Sequence, residues 1–399
     1  MTEQLNAPAL RFPEFRDEWN QNKLSDVVNV YDGTHQTPKY TNEGIKFLSV
    51  ENIKTLNSNK YISKEDFIKE FKIHPEYGDI LMTRIGDIGT PNIVNLKEPL
   101  AYYVSLALLK PININSYFLN SLILSPTVQN ELWRKTLHIA FPKKINKNEI
   151  AKVLINYPTF NEQEKIGYFF SKLDRQIELE EEKLELLEQQ KKGYMQKIFS
   201  QDLRFKDKNG NDYPKWVTQK IKELGNVYTG NTPSKKQSAY WNSNNYIWVT
   251  PTDINNKKNV KNSEYMLSNE GFKKARQLPK NTLLITCIAS IGKNAILREE
   301  GSCNQQINAL VPNNDENVDF LYYAFEKVSK YMKRIAGKTA TQIVNKSTFE
   351  NISIEVPNIE EQLKIGRFLN SFDKLIEKQV SKIELLKQRK QGLLQKMFV

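Results

Sequence analysis

The residues best equipped for chemistry in this sequence are hydrogen-bonding side chains gathered in short loops, and those loops come in pairs. DGTHQTPKY (32–40) answers TGNTPSKKQSAYW (229–241), IGDIGTPN (85–92) answers IASIGKN (288–294), and HIAFPKKINK (138–147) answers GKTATQIVNK (337–346). Glycine permits close backbone approach. Lys, Thr and Ser suit phosphate oxygens, and Gln, Asn and Arg suit base edges in the major groove of duplex DNA. Taken singly, each loop also fits an ordinary surface turn; recurrence at matching places is what favours the nucleic-acid reading. The candidate contacts are Thr34, His35, Lys39, Tyr40, Arg84, Lys143 and Lys144 in the first half. In the second half they are Thr232, Ser234, Lys235, Lys236, Tyr240, Lys293, Lys338, Thr341 and Gln342.

Other chemistry finds no support. Gly292-Lys293 lacks the upstream glycine and the following Ser or Thr of a nucleotide phosphate loop. No G-x-G-x-x-G follows a strand-like run, and no Asn or Asp precedes a Pro-Pro-aromatic triplet of the kind that methylates an extruded base. His35, His74 and His138 are isolated, which favours satisfied or surface histidines over metal or general-base roles. Cys287 and Cys303 have no metal-ligand spacing and read as reduced, partly buried thiols. No catalytic residue, metal ligand or cofactor is expected in this chain. The net charge of +12 biases a chain without membrane features toward nucleic acid, and residues 201–357 carry +8 of it. MTEQLNAPALRFPEF lacks the pattern of a signal peptide, and no apolar run approaches the roughly 20 residues of a membrane span, so a cytoplasmic location is expected.

What positions the loops is a tandem repeat. Sliding the sequence by 199 residues sets NEQEKIGYFFSKLDRQIE (161–178) on EEQLKIGRFLNSFDKLIE (360–377). Upstream, RFPEFRDEW (11–19) answers RFKDKNGNDYPKW (204–216), FLSVENI answers WVTPTDI, TRIGDIG answers TCIASIG, and INYP answers IEVP. Both conserved segments start like helices: Pro158 and Pro357 precede Thr159 with Glu162 and Asn358 with Glu361, the spacing of a capping box. Apolar residues then follow a 4-3 spacing from Ile166 and from Ile365, a coiled-coil seam broken at Glu180 and Lys191 in one copy and at Gln379 and Lys390 in the other. Parallel pairing would bury Lys191 beside Lys390. The expected arrangement is therefore antiparallel, with Glu180 opposite Lys390, Lys191 opposite Gln379, Leu184 facing Leu386 and Leu187 facing Ile383. Gly193 and Gly392 mark either a partner-binding face or a close crossing of the two helices.

The expected fold is α+β: two mixed α/β domains (1–158 and 201–356) separated by two long helices (159–200 and 357–399) that form an antiparallel intramolecular coiled coil, with pseudo-twofold symmetry. The whole chain resembles the specificity subunit of type I restriction-modification enzymes. The E-Q-x-K-I-G starts at Glu162–Gly167 and Glu361–Gly366 and the YTGNTPSKKQSAYW, WVTPTDI, IGKN and NQQINALVP stretches carry that resemblance. In the first domain VSLALLKP stands where the second has INALVP, so the landmarks there are weaker. The resemblance implies a non-catalytic subunit whose two target-recognition domains each read half of a split DNA site, with the coiled coil setting the spacer. It also implies double-stranded DNA as ligand and two modification subunits, which carry S-adenosylmethionine, docked on the helices and domains. Restriction subunits, using ATP and Mg, would join that core. The alternative from the residues alone is a bivalent protein-binding scaffold; a self-contained methyltransferase or nuclease is disfavoured by the missing motifs.

Overall fold

The computed structural model describes residues 6–241, 243–254, 258–336 and 343–399. The chain folds as two compact units, Met1–Lys183 with Gln379–Val399, and Leu184–Lys378. In the first, a four-stranded antiparallel sheet runs in the order Val28–Asp32, Leu106–Pro111, Ile80–Ile85, Asp87–Ile93. A three-stranded sheet orders Tyr61–Ile62, Ile45–Leu48, Leu100–Tyr102, and a ribbon pairs Asn20–Lys23 with Leu154–Tyr157. The two central strands, Leu106–Pro111 and Ile80–Ile85, are buried on both faces because both are covered, and the two-residue period sorts their side chains. Ile80 and Met82 join Phe118, Leu122 and Ile166 on one side, while Leu81 joins Phe47, Phe71 and Tyr102 on the other.

The second unit repeats this plan. Its main sheet orders Gly225–Thr229, Ile307–Pro312, Thr282–Thr286, Asn294–Leu297, Asn259–Val260, and its ribbon pairs Val217–Lys220 with Ser353–Val356. Leu283 and Ile285 pack with Phe320 and Ile365 on one side, and Leu284 packs with Ile247 and Val249 on the other. Cys287 and Cys303 are free and buried, and burial pushes both thiols up to about 12. Native protein at neutral pH is therefore expected to leave both thiols unmodified by a disulfide reagent, with two equivalents reacting only after unfolding; rapid labelling of either in the folded chain would contradict this placement.

The long helices span Phe160–Phe199 and Ile359–Met397. Their shared E-Q-x-K-I-G start is a docking code. The Glu162 carboxylate, in a residue only 1 % exposed, accepts from Arg11 Nε and Nη2 at 2.7 Å each. Glu361, 0 % exposed, accepts from Arg204 at 3.1 and 2.5 Å and from Trp216 Nε1 at 3.2 Å. Gln163 accepts the Asn115 backbone N–H at 2.9 Å, and Gln362 accepts that of Asn317 at 2.9 Å. Asn115 and Asn317 in turn cap the helices Ser116–Ile123 and Val318–Ala336. Gly167 and Gly366 let these helix starts approach closely: a β-carbon would lie 2.7 Å from Phe118 N in one and 2.8 Å from Asn317 Oδ1 in the other. The expected capping box is thus half formed. Asn358 Oδ1 accepts from Glu361 N–H at 3.1 Å, but both glutamates turn away from their own caps to the arginines.

Helix pairing is antiparallel within each unit. In the first, Asp174 meets Lys390 at 2.5 Å and Glu181 meets Lys387 at 2.6 Å, with Leu173, Ile177 and Leu386 forming the seam. In the second, Lys191 meets Asp373 at 2.5 Å, and Tyr194 packs on Phe368 and Phe372. The register differs from expectation by nearly one heptad. Glu180 faces Gln379, whose Nε2 donates to its carboxylate at 2.7 Å, rather than Lys390; Lys191 faces Asp373 rather than Gln379; and Leu386 sits with Leu173 and Ile177 rather than Leu184. Each seam lysine runs its apolar stem along the interface and delivers its ammonium to an aspartate flanking the seam, so lysines do not need a polar partner in the seam itself. Bonds from Gln379 and Lys382 hold the Glu180 carboxyl below its usual range, so its contribution is present above that range and lost as pH falls through the lowered value. Among the described residues no helix is long and apolar enough to cross a membrane.

The helix ends plug the cores. Phe398 packs against Trp19, Phe118 and Phe170 in the first unit, where Leu10 N–H also donates to Lys396 C=O at 2.8 Å. Phe199 does the same in the second, against Trp216 and Phe320.

Candidate nucleic-acid interface

In the first unit the three singled-out loops converge on one buried arginine. Arg84, 4 % exposed, ends the strand Ile80–Ile85 and pairs through Nη1 with Asp32, at the root of the 32–40 loop. Its Nε donates to Ile145 C=O at 3.0 Å, at the root of the 138–147 loop. Gly86 N–H reaches Lys143 C=O at 2.8 Å, closing the set. The guanidinium that the sequence suggested as a ligand contact is thus buried and bonded within the unit. It is consumed in tying loop roots together, and the carboxylate that makes this possible, Asp32, escaped the sequence reading.

Around this hub the other candidates are accessible. Thr34 is half-buried, its Oγ1 accepting from Gln36 N–H at 3.3 Å in a local turn. The His35 side chain is 70 % exposed, with Nε2 3.9 Å from Asp32, and Lys39 is exposed. Tyr40 lies edge-on to Phe47 and beneath Lys60 Nζ at 5.8 Å. Tyr40, Phe47 and Lys60 border a cavity of about 330 Å³ also lined by Tyr103 and Ser105. A bond to Glu51 holds the Lys60 ammonium above its usual range. Lys143 Nζ sits 4.5 Å over the Trp133 ring, and Lys144 is exposed.

The second unit places the equivalent loops by the same backbone bonds with different side chains. Val344 N–H donates to Cys287 C=O at 2.9 Å where the first unit has Ile145 on Arg84, and the buried Cys287 Sγ there bonds Ile285 C=O of its own strand at 3.5 Å. Thr232 Oγ1 bonds Gln305 at 2.6 Å. Ser234 and Lys236 are exposed, and Lys235 Nζ lies 5.5 Å over Tyr265. Trp241 Nε1 closes the loop on Ser234 C=O at 3.1 Å, and the Tyr240 carbonyl accepts from Ser268. Lys293 is exposed, its backbone bound to Thr286. Lys338, Thr341 and Gln342 lie outside the described residues. Among the described residues no cluster of His, Cys, Asp or Glu could hold a metal ion. A β-carbon at Gly193 or Gly392 would meet nothing within 4 Å among the described residues, which removes the close-crossing reading of both.

Comparison with known proteins follows the repeat. A family model described as the type I restriction modification DNA specificity domain matches residues 16–189 and again 213–387. The chain is 32% identical over 208 residues to the type I restriction enzyme MjaIX specificity subunit of Methanocaldococcus jannaschii, covering 50% of this chain and 48% of that protein. The chain thus spans about half the length of that relative. A second protein of the same organism, the putative type I restriction enzyme MjaX specificity subunit, is 25% identical over 96% of this chain and 93% of its own. Among solved structures, the type I restriction-modification S subunit from M. genitalium superposes with a TM-score of 0.63 at 14% identity, over 98% of this chain and 99% of that one, a likeness of fold.

Proposed function

The chain belongs to the type I restriction-modification DNA specificity family, and from that premise we propose that it is the non-catalytic subunit that gives such a complex its DNA sequence. In this reading residues 1–158 and 201–356 are target-recognition domains, each addressing one half of a bipartite duplex site. The helices at 159–200 and 357–399 set the spacer between the halves and dock two modification subunits. S-adenosylmethionine then belongs to those modification subunits, ATP and Mg to restriction subunits, and the whole to the cytoplasm.

The observation that carries this reading is the convergence of three donor-rich loops on one buried root in the first unit, through Arg84, with Val344 bound to the backbone of Cys287 at the equivalent strand end of the second. Such a root holds loop tips in fixed geometry, which base reading requires and phosphate attraction alone does not. The exposed candidates around it, among them Lys39, Lys144, Lys236 and Lys293, supply the phosphate-directed charge.

The test is binding and methylation by assembled complexes across salt and across mutated sites. Lys235→Ala is expected to weaken all sequences together and to reduce the salt slope by about one, whereas Gln342→Ala is expected to relax one base position by about 1–3 kcal/mol. Wild-type behaviour from both would reject these loops. A complex with no salt-dependent DNA affinity would instead favour the bivalent protein scaffold.

A further inference from the structure

Around the 138–147 segment Trp133 is 52 % and Leu137 41 % exposed, and the two apolar side chains at its tip are more exposed still. Ile139 is 99 % exposed and Phe141 104 % exposed. The loop beneath them is rigidly founded. Leu137 N–H donates to Lys144 C=O at 2.8 Å, Gly86 N–H to Lys143 C=O at 2.8 Å, and Ile145 N–H to Arg84 C=O at 3.0 Å. Trp133 braces the flank, with the His138 ring 4.4 Å from its own and Lys143 Nζ 4.5 Å above it. Residues 133–147 carry Arg134, Lys135, Lys143, Lys144 and Lys147; Glu131 pairs with Arg134 at 2.9 Å and with Lys135 at 4.0 Å, and Glu149 pairs with Lys152 at 2.8 Å, so Lys143, Lys144 and Lys147 supply the excess positive charge. The adjacent Asp87 carboxylate is engaged by Thr83 Oγ1 at 3.2 Å.

We propose that this tip is an apolar wedge: Phe141, supported by Ile139, enters a stacked base step of duplex DNA at the half-site read by the first unit, and kinks it. The inference rests on the DNA-specificity reading and adds a mode of recognition to it. Two side chains on a narrow loop cannot bury the roughly 800 Å² per partner that a stable protein interface needs. The exposed Lys143, Lys144 and Lys147 would also oppose an apolar protein partner. A base step needs only one ring-thick apolar group with cations for the phosphates on either side. Unstacking depends on the sequence being unstacked, so the wedge would contribute specificity without reading a base edge.

The experiment uses the full chain in its assembled methyltransferase complex. The duplex carries its methylation site, with 2-aminopurine placed at successive positions of the half-site away from the methylated adenine. Wild type is expected to brighten the probe at one step. Phe141→Ala is expected to abolish that brightening and weaken binding about tenfold. Lys147→Ala is expected to lower the salt slope while keeping the brightening. The proposal is overturned if Phe141→Ala brightens the probe as wild type does, if no position brightens in a complex that binds tightly, or if the substitution instead blocks assembly with modification subunits. Absence of binding by the wild-type complex removes the DNA-specificity reading itself, a separate result.

Discussion

Replacing Phe398 with alanine is expected to destabilise the first unit by about 3–5 kcal/mol and to leave the second unit unchanged. Phe398 is 4 % exposed, with ring centroids 6.2 Å from Trp19 and 5.6 Å from both Phe118 and Phe170. Those three belong to the first half of the sequence, so the effect would be felt hundreds of residues away along the chain. Removing the ring opens a cavity where a helix end closes the core, and neither Trp19 nor Phe118 can collapse into it without leaving its own packing. Phe199→Ala should give the mirror result, through Trp216 and Phe320 in the second unit. Because a chain of two units does not unfold in two states, the measurement is hydrogen exchange resolved by peptide rather than one melting temperature. Equal loss of protection in both units after either substitution would refute the plug assignment.

Arg204→Met is expected to cost about 3–5 kcal/mol, because it leaves the Glu361 carboxylate buried without its cation. The Glu361 side chain is 0 % exposed, against 23 % for Arg204. Trp216 Nε1 remains as a donor at 3.2 Å, but one neutral hydrogen bond does not replace a bidentate guanidinium. Arg11→Met should act in the same way on Glu162 in the first unit, where the side chains are 12 % and 1 % exposed. The control is the double change Arg204→Met with Glu361→Gln, which removes the stranded charge and should recover most of the loss in denaturant unfolding. If the single variant were as stable as wild type, the E-Q-x-K-I-G start would not be the docking code described above.

Much of this was legible from residues. The 4-3 apolar spacing and the paired prolines located both long helices, and the incompatibility of stacked lysines selected the antiparallel pairing. Register was not legible. Lys191 and Lys390 looked like polar layers seeking polar layers, whereas long side chains reached Asp373 and Asp174 beside the seam. The burial of Arg84 was not legible, because an arginine in a donor-rich stretch looks the same whether it meets a phosphate or Asp32; only three-dimensional proximity separates the cases. The same blindness hid Lys258. In a lysine-rich run it reads as surface, yet it is 7 % exposed, its Nζ 2.8 Å from Asp319 and 2.9 Å from Tyr323 Oη. Burial pushes its ammonium below the usual range despite those partners. Long-range burial is a property of topology, and local composition carries little of it.

The plugs described above have a topological consequence. The helix end that follows the first domain closes the second unit, and the helix end that follows the second domain closes the first, so the chain is domain-swapped with itself. Each repeat holds one socket and one plug, and each plug serves the other's socket through equivalent residues, Phe199 and Phe398. Two copies of a single repeat carry the same complementary parts in duplicate. Such a pair is expected to close on itself as a homodimer.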